Sequence, residues 1–185
     1  SAILLAATIA FYIVIYTVWL KRSTAQNIVI GGAAGAFPPM IGWSVATGSI
    51  GLESILLFLL IFVWTPPHFW TLALFTNQDF LNAKVPMLTV IRGMKVTRQH
   101  IFIYSLLLAL VAVGLSFSKI GGPLYFLVAC LLNTYFLYKA VKVLSRTDAV
   151  AKIDKFSEER KLFLFSIFYL FSHFTLIAVE AFTRP

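Results

Sequence analysis

"LESILLFLLIFVWTPPHFWTLALF", Leu52 to Phe75, carries no charged side chain beyond Glu53 and is long enough to cross a bilayer, which takes roughly 20 apolar residues. Yet it holds Pro66, Pro67 and His68. A segment that only had to cross lipid would avoid them, because proline removes helical hydrogen bonds. The same apolar character continues on both sides. The 185-residue chain is 60% hydrophobic and 12% charged, with a mean hydropathy of +0.91. Soluble domains are nearer half apolar and a quarter charged. Further apolar runs lie at about 2–20, 28–47, 100–118, 123–144 and 162–182, which with 52–75 make six predicted spans. Only the 76–99 and 145–161 connections are long, and no repeat, low-complexity tract or soluble second domain is visible. The expected fold is an all-α membrane protein, one domain over 1–185 built as a bundle of about six transmembrane helices.

A net charge of +8 invites a nucleic-acid partner, but its distribution argues for a membrane instead. All of the 15 Lys and Arg residues except Lys119 and Arg184 fall in or beside the loops after spans 1, 3 and 5. That is a strong positive-inside signal, and it places the 21–27, 76–99 and 145–161 loops in the cytoplasm. It also supports the six-span count, since one missed helix would scramble the partition. The single Cys130 excludes an internal disulfide and a cysteine metal cluster. The first apolar run is too long for a secretory signal and has no basic flank. With Ser1 placed directly on a span, the chain reads as a piece whose upstream part is missing.

Two spans carry unusual chemistry. In "IVIGGAAGAFPPMIGWSVATG" (28–48), Gly31 and Gly35 form a GxxxG pair, and small residues around them let helix backbones approach closely in lipid. Pro38 and Pro39 lie about 15 Å into that helix. In 52–75, Pro66 and Pro67 repeat the device, with His68 roughly 10 Å from the helix end. Broken helices beside a buried polar site are one way to build an intramembrane cavity, and an ionisable side chain inside a span points to function. Trp64, Phe69 and Trp70 suit a large flat or prenyl ligand, and equally ordinary packing. Asn133 and His173 read as bonds between helices, His100 as an interfacial residue, and 145–161 as a solvated connector.

Two cytoplasmic stretches suggest an anion site. "YTVWLKRSTAQN" places Lys21 and Arg22 at a helix end, with Asn27 following, and Tyr16 one turn back. "NQDFLNAKVPMLTVIRGMKVTRQH" sets Asp79 between Asn77 and Asn82, then adds Lys84, Arg92 and Arg98. A carboxylate flanked by amides suits Mg²⁺, and clustered Lys and Arg suit phosphate oxygens. Asp79, the sole acid of the 76–99 loop, is the expected metal ligand.

The pieces "YTVWLKRSTAQNIVIGGAAGAFPPMIGWSVATG", "WTPPHFWTLAL", "DFLNAKVPMLTV" and "FSIFYLF" together resemble the UbiA-type intramembrane prenyltransferases, in particular those that act on heme. The resemblance runs over essentially the whole chain. It implies nine transmembrane helices, of which these are the last six, with a first aspartate-rich motif upstream and Asp79 in the second. It implies transfer of a farnesyl group from farnesyl diphosphate to a vinyl group of heme b, with addition of water, giving heme O. The implied site holds Mg²⁺ through Asp79 with Asn77 and Asn82, and diphosphate through Lys21, Arg22, Asn27, Lys84, Arg92 and Arg98. Its heme and prenyl pocket consists of Tyr16, Trp64, His68, Phe69 and Trp70, with Asp79, Lys21, Arg22 and His68 as catalytic residues. A bacterial inner membrane is expected over a mitochondrial one, with a heme A synthase downstream. Where such proteins usually have Gly and Pro, this chain has Lys84 and Thr89, changes that bear on loop conformation. Two rivals remain: a relative with a phenolic or chlorin acceptor, and a transporter-like bundle, which would not need the Asp-plus-basic cluster. A chain lacking the upstream motif is expected to bind Mg²⁺–diphosphate weakly or not at all.

Overall fold

The computed structural model describes residues 2–20, 24 and 26–183. Helix α1 (Ala2–Ala10) continues as a π-helical stretch, Phe11–Leu20, to form the first span. The long helices α2 (Asn27–Thr47) and α3 (Leu52–Phe75) follow. Two short helices, α4 (Asn77–Asn82) and α5 (Leu88–Ile91), lead into α6 (Gly93–Ser116). Then come α7 (Pro123–Leu144), the short α8 (Asp148–Ile153) and α9 (Ser157–Thr183). Among the described residues six helices are long and apolar enough to cross a membrane: Ala2–Trp19, Asn27–Thr47, Leu52–Phe75, Gly93–Ser116, Pro123–Leu144 and Ser157–Phe182. The six-span expectation therefore holds.

Helices α6 and α9 begin earlier than their apolar runs, at Gly93 and Ser157 instead of 100 and 162. Hydropathy detects the apolar run, whereas the helix continues as long as its backbone bonds do. In α6 the extra turns bury Thr97 and Arg98.

Helices α3, α6, α7 and α9 form a closed ring, each packed on the next, with α2 against the outside of α3 and the first span against α2. Helix α3 is the centre of this arrangement, with half of its apolar window buried against none for the first span. Leu60, Trp70 and Leu74 of α3 meet Ile101 and Leu108 of α6, Phe136 of α7, and Leu162 and Tyr169 of α9. Lipid gives such packing no hydrophobic drive, so close fit and interhelical hydrogen bonds hold the ring. Asn133 of α7 donates to Ala109 O of α6 at 3.3 Å and accepts from Tyr169 Oη of α9 at 2.6 Å. His173 Nδ1 of α9 lies 2.8 Å from Tyr125 Oη of α7. Both residues join helices, as expected. His100 sits inside α6, with Nδ1 2.9 Å from Val96 O.

The prolines do not break their helices. Pro38 and Pro39 lie inside α2, and Pro66 and Pro67 inside α3, both of which run on uninterrupted. Two adjacent prolines cost α3 only the bonds to the Phe62 and Val63 carbonyls. Thr65 and Thr71 donate to Ile61 O and Pro67 O, at 2.8 and 2.6 Å, and tie the surrounding turns.

The 145–161 stretch is not a solvated connector. Thr147 caps α8, Ala151 is fully buried, and Glu159 is fully buried at the start of α9. Glu159 lies 3.3 Å from Arg146 Nε and 3.8 Å from Arg98 Nε, while Arg98 also pairs with Asp148 and Arg146 with Asp154. Lys139 and Lys161 share Glu158, at 3.1 and 2.8 Å. An even mixture of signs looks solvated in sequence, but here the opposite charges face one another across four helices. We expect Arg98→Ala to destabilise the fold by about 3–5 kcal/mol, because it leaves Glu159 buried with one partner fewer; thermal unfolding in detergent measures this.

Lys84 has φ 53°, a left-handed conformation. It is the residue after the C-cap of α4: its N–H donates to Leu81 O at 3.1 Å, and Val85 N–H to Phe80 O at 3.1 Å. That double bond is the Schellman ending, in which glycine is favoured at this position. Glycine would fit this backbone better than lysine, and Lys84→Gly should raise stability by about 1 kcal/mol, read as a higher midpoint in the same unfolding assay.

Candidate functional site

A cavity of about 320 Å³ lies between the first span, α2 and α3. Its walls include Tyr12 and Tyr16, the glycines Gly31, Gly32 and Gly35, and Trp64, Thr65 and Phe69. The glycines make it possible. A Cβ on Gly32 would stand 2.9 Å from Thr65 Cγ2, and one on Gly31 2.5 Å from the Tyr16 ring. Both are closer than real Cβ contacts, so α3 and Tyr16 can lie this near α2 only where a side chain is missing. A Cβ on Gly35 would meet nothing within 4 Å, which marks open space. The sequence pointed to these glycines as a packing face, and they prove to be cavity wall as well.

Of the five expected pocket residues, Tyr16, Trp64 and Phe69 line this cavity and two do not. Trp70 is fully buried on another face of α3, edge-on to His100 at 5.7 Å and to Tyr104 at 5.2 Å. Six residues from Trp64, at 3.6 per turn, carry it around toward α6. His68 lies one layer behind the wall, stacked on Trp64 at 4.3 Å and edge-on to Phe69 at 5.1 Å. Its Nδ1 is 2.6 Å from Ser166 Oγ of α9, and Trp64 Nε1 donates to Ser166 O at 2.8 Å. Sequence reasoning did not single out Ser166. Its signal was a small polar residue in the apolar run "LFLFSIFYLF", where helix-to-helix hydrogen bonds are common.

The connections 76–92 and 145–156 fall at one end of the bundle by alternation of the spans, as does the start of α2. Asp79 is exposed on α4 and makes no ion pair among the described residues. Lys84 and Arg92 are exposed nearby in the chain, and Asn27 is buried in the first turn of α2. Lys21 and Arg22 lie outside the described residues. Arg98 departs from expectation: it is 2% exposed and bound to Asp148 and Glu159. Those carboxylates, distant in sequence, take up the charge that had been assigned to diphosphate.

The oxygen donors suit Mg²⁺ only in part. Among the described residues Asn77 Oδ1 is buried without a hydrogen-bond partner and the Asp79 carboxylate makes no ion pair, while Asn82 Oδ1 accepts from Gln78 Nε2 at 3.1 Å. Among the described residues no three His, Cys, Asp or Glu side chains converge on a metal position. One free carboxylate and one unused amide oxygen fit an ion that completes its shell with water and phosphate oxygens, as Mg²⁺ commonly does.

Six apolar helices among the described residues, with an aromatic-walled cavity between three of them, define a multi-pass integral membrane protein. The profile of the UbiA prenyltransferase family matches residues 1–168, and the chain belongs to that family. It is 57% identical over 185 residues to the protoheme IX farnesyltransferase of Cereibacter sphaeroides (strain ATCC 17029 / ATH 2.4.9), covering 100% of this chain and 60% of that protein. With the protein of that name from Ruegeria pomeroyi it shares 57% identity over 181 residues, 98% of this chain and 57% of that protein. With the one from Roseobacter denitrificans it shares 56% over 185 residues, 100% of this chain and 59% of that protein. The chain thus spans about 60% of the length of the curated relatives it matches. No solved structure matches it.

The glycine geometry makes a paired prediction. Gly32→Ala should cost about 1–3 kcal/mol by overpacking against Thr65, whereas Gly35→Ala, facing open space, should stay within about 0.5 kcal/mol. Unfolding midpoints of the two variants, measured side by side, check the contrast.

Proposed function

We propose that this protein transfers a farnesyl group from farnesyl diphosphate to a vinyl group of heme b, with addition of water, giving heme O and diphosphate. The observation that carries it is the cavity walled by Tyr16, Trp64 and Phe69, in a chain 57% identical to proteins named protoheme IX farnesyltransferase. In balance, the bond from farnesyl C1 to the diphosphate oxygen breaks, and diphosphate leaves with the electron pair. The terminal vinyl carbon bonds farnesyl C1, and a water oxygen bonds the inner vinyl carbon and sheds a proton.

The residues divide this work by location. Farnesyl diphosphate places its head at the end bearing Asp79, Lys84 and Arg92, with Asn27 at the start of α2; the sequence assigns Lys21 and Arg22 to the same head. The lysine and arginine bias puts that end in the cytoplasm. Mg²⁺, held through Asp79 with Asn77 and Asn82 nearby, supplies charge neutralisation to the departing diphosphate when bound. The basic side chains add to that stabilisation. Tyr16, Trp64 and Phe69 offer aromatic faces to the allylic cation and keep bulk water from quenching it. A bacterial inner membrane is the fitting location, with a heme A synthase as the consumer of the product.

The test uses a chain of the relatives' full length, in membranes supplied with heme b, farnesyl diphosphate and Mg²⁺. Mass spectrometry of the extracted hemes should show a farnesyl group plus water, and Asp79→Asn should lower its formation at least 100-fold, on the order of losing a ligand to transition-state charge. Product undiminished in Asp79→Asn moves the metal elsewhere. No farnesylated heme, with a phenolic acceptor used instead, would overturn the acceptor assignment.

A further inference from the structure

Helices α7 and α9 lie antiparallel. Lys139 reaches Glu158 at one end, at 3.1 Å, and Tyr125 N–H donates to Glu180 at the other, at 2.8 Å. On α7 the seam between them carries Val128, Tyr135 and Lys142, and on α9 Lys161, Phe168 and Thr175. Each set repeats every seven residues, nearly two full turns, so each forms one stripe along its helix. The stripes meet: Tyr135 lies edge-on to Phe165 at 4.5 Å, and Val128 and Phe168 wall one groove.

Three chemistries follow in order along this seam from its charged end. First come Lys139, Lys142 and Lys161. Lys139 is 7% exposed and shares Glu158 with Lys161, at 3.1 and 2.8 Å. Lys142 joins no ion pair among the described residues, and its Nζ stands 4.8 Å from the centre of the Tyr138 ring. One carboxylate thus serves three ammonium groups, and the excess charge is positive. Next come Tyr135 and Tyr138, both exposed, with Lys139 Nζ 5.6 and 6.0 Å from their ring centres. Two turns beyond Tyr135, about 10 Å, lies an apolar groove of about 330 Å³, walled by Val128, Phe168, Phe171 and Leu176 among others. Tyrosine favours the boundary between water and hydrocarbon, which puts the lysines at headgroup depth and the groove at the depth of lipid chains.

We propose that this seam is a binding site for an anionic phospholipid, its phosphate held by Lys142 and Lys161 and one acyl chain lying in the groove below. Charge complementarity selects this occupant. An apolar helix would fill the groove but leave the lysine excess unmatched, and free phosphate would leave the groove empty. Basic residues spread over one end of a membrane protein attract anionic lipid without placing it. Here the stripe that the lysines share with the groove places it. The site uses none of the residues that wall the cavity, so it stands apart from the proposed reaction.

Native mass spectrometry tests this on the protein at the relatives' full length, in mild detergent with equal amounts of phosphatidylglycerol and phosphatidylcholine. Both lipids carry a phosphate, but only the first is net negative. The protein should retain one phosphatidylglycerol in preference. Lys142→Gln should weaken that retention about fivefold, and Lys142→Gln combined with Lys161→Gln about 25-fold. Lys142→Arg, which keeps the charge, should hold the lipid. Lys152→Gln, exposed on α8 and off the seam, should change nothing. Glycerol 3-phosphate, a head without chains, should not displace the lipid at equal concentration.

Equal retention of the two lipids by the unsubstituted protein overturns the proposal, whether the seam is unselective or covered by another part of the chain. Unchanged retention in Lys142→Gln overturns it as well, and decides the matter if the double variant does not fold. So does equal weakening by Lys152→Gln, which would make the attraction general to the charged end. Displacement by glycerol 3-phosphate as effective as by the lipid itself would remove the groove from the site, and the proposal with it.

Discussion

The close approach of Gly32 to Thr65 is the contact on which the rest of the structure depends. Helix α2 comes near enough to α3 because a Cβ there would stand only 2.9 Å from the threonine. In lipid no hydrophobic force compels two helices together, so a fit of this kind decides which faces meet. Once these two are joined, Gly31 receives the Tyr16 ring, and Trp64 and Phe69 of α3 look onto the glycine face. The cavity is what remains where Gly35 has nothing opposite it. The other sides of α3 are then free for α6 and α9, which close the ring through α7.

A second constraint operates at the charged end. Arg98, Arg146 and Glu159 are too far out of water to stand alone, since a buried charge without a partner is costly. Their mutual pairing, extended by Asp148 and Asp154, binds α6, α8, α9 and the turn after α7 at one level. The segment with Asp79, Lys84 and Arg92 enters α6 just before Arg98. The anchored end of the ring thus adjoins, along the chain, the exposed charges proposed to meet diphosphate.

Between these ends, the proline pair of α3 acts differently from a break. It leaves the helix intact, while buried hydrogen bonds from Thr65, Trp64, His68 and Thr71 occupy the surrounding backbone and the α9 serine. A titratable ring and an indole next to a cavity are thereby held in one arrangement. Catalysis of the proposed kind asks for such fixed placement, because a flat acceptor and an allylic chain must meet with little freedom.

The sequence by itself determined the number of spans, their order and the chemistry available. Runs such as 52–75 and 123–144 are too long and apolar for anything but a membrane, and period and length survive any packing. It also marked Tyr16, Trp64 and Phe69 as residues of the right type. It did not separate them from Trp70, because an indole facing a cavity and one facing α6 look the same in a string of letters. Arg92 and Arg98 were equally alike. Only the fold brought Asp148 and Glu159, about 50 and 60 positions on, against Arg98 and left Arg92 exposed. The partner of His68 was the least legible of all, a serine 98 residues away on another helix. Local sequence sets which backbone bonds close within a few residues, whereas a side chain's partner depends on which helices become neighbours, and that is decided by packing over the whole ring.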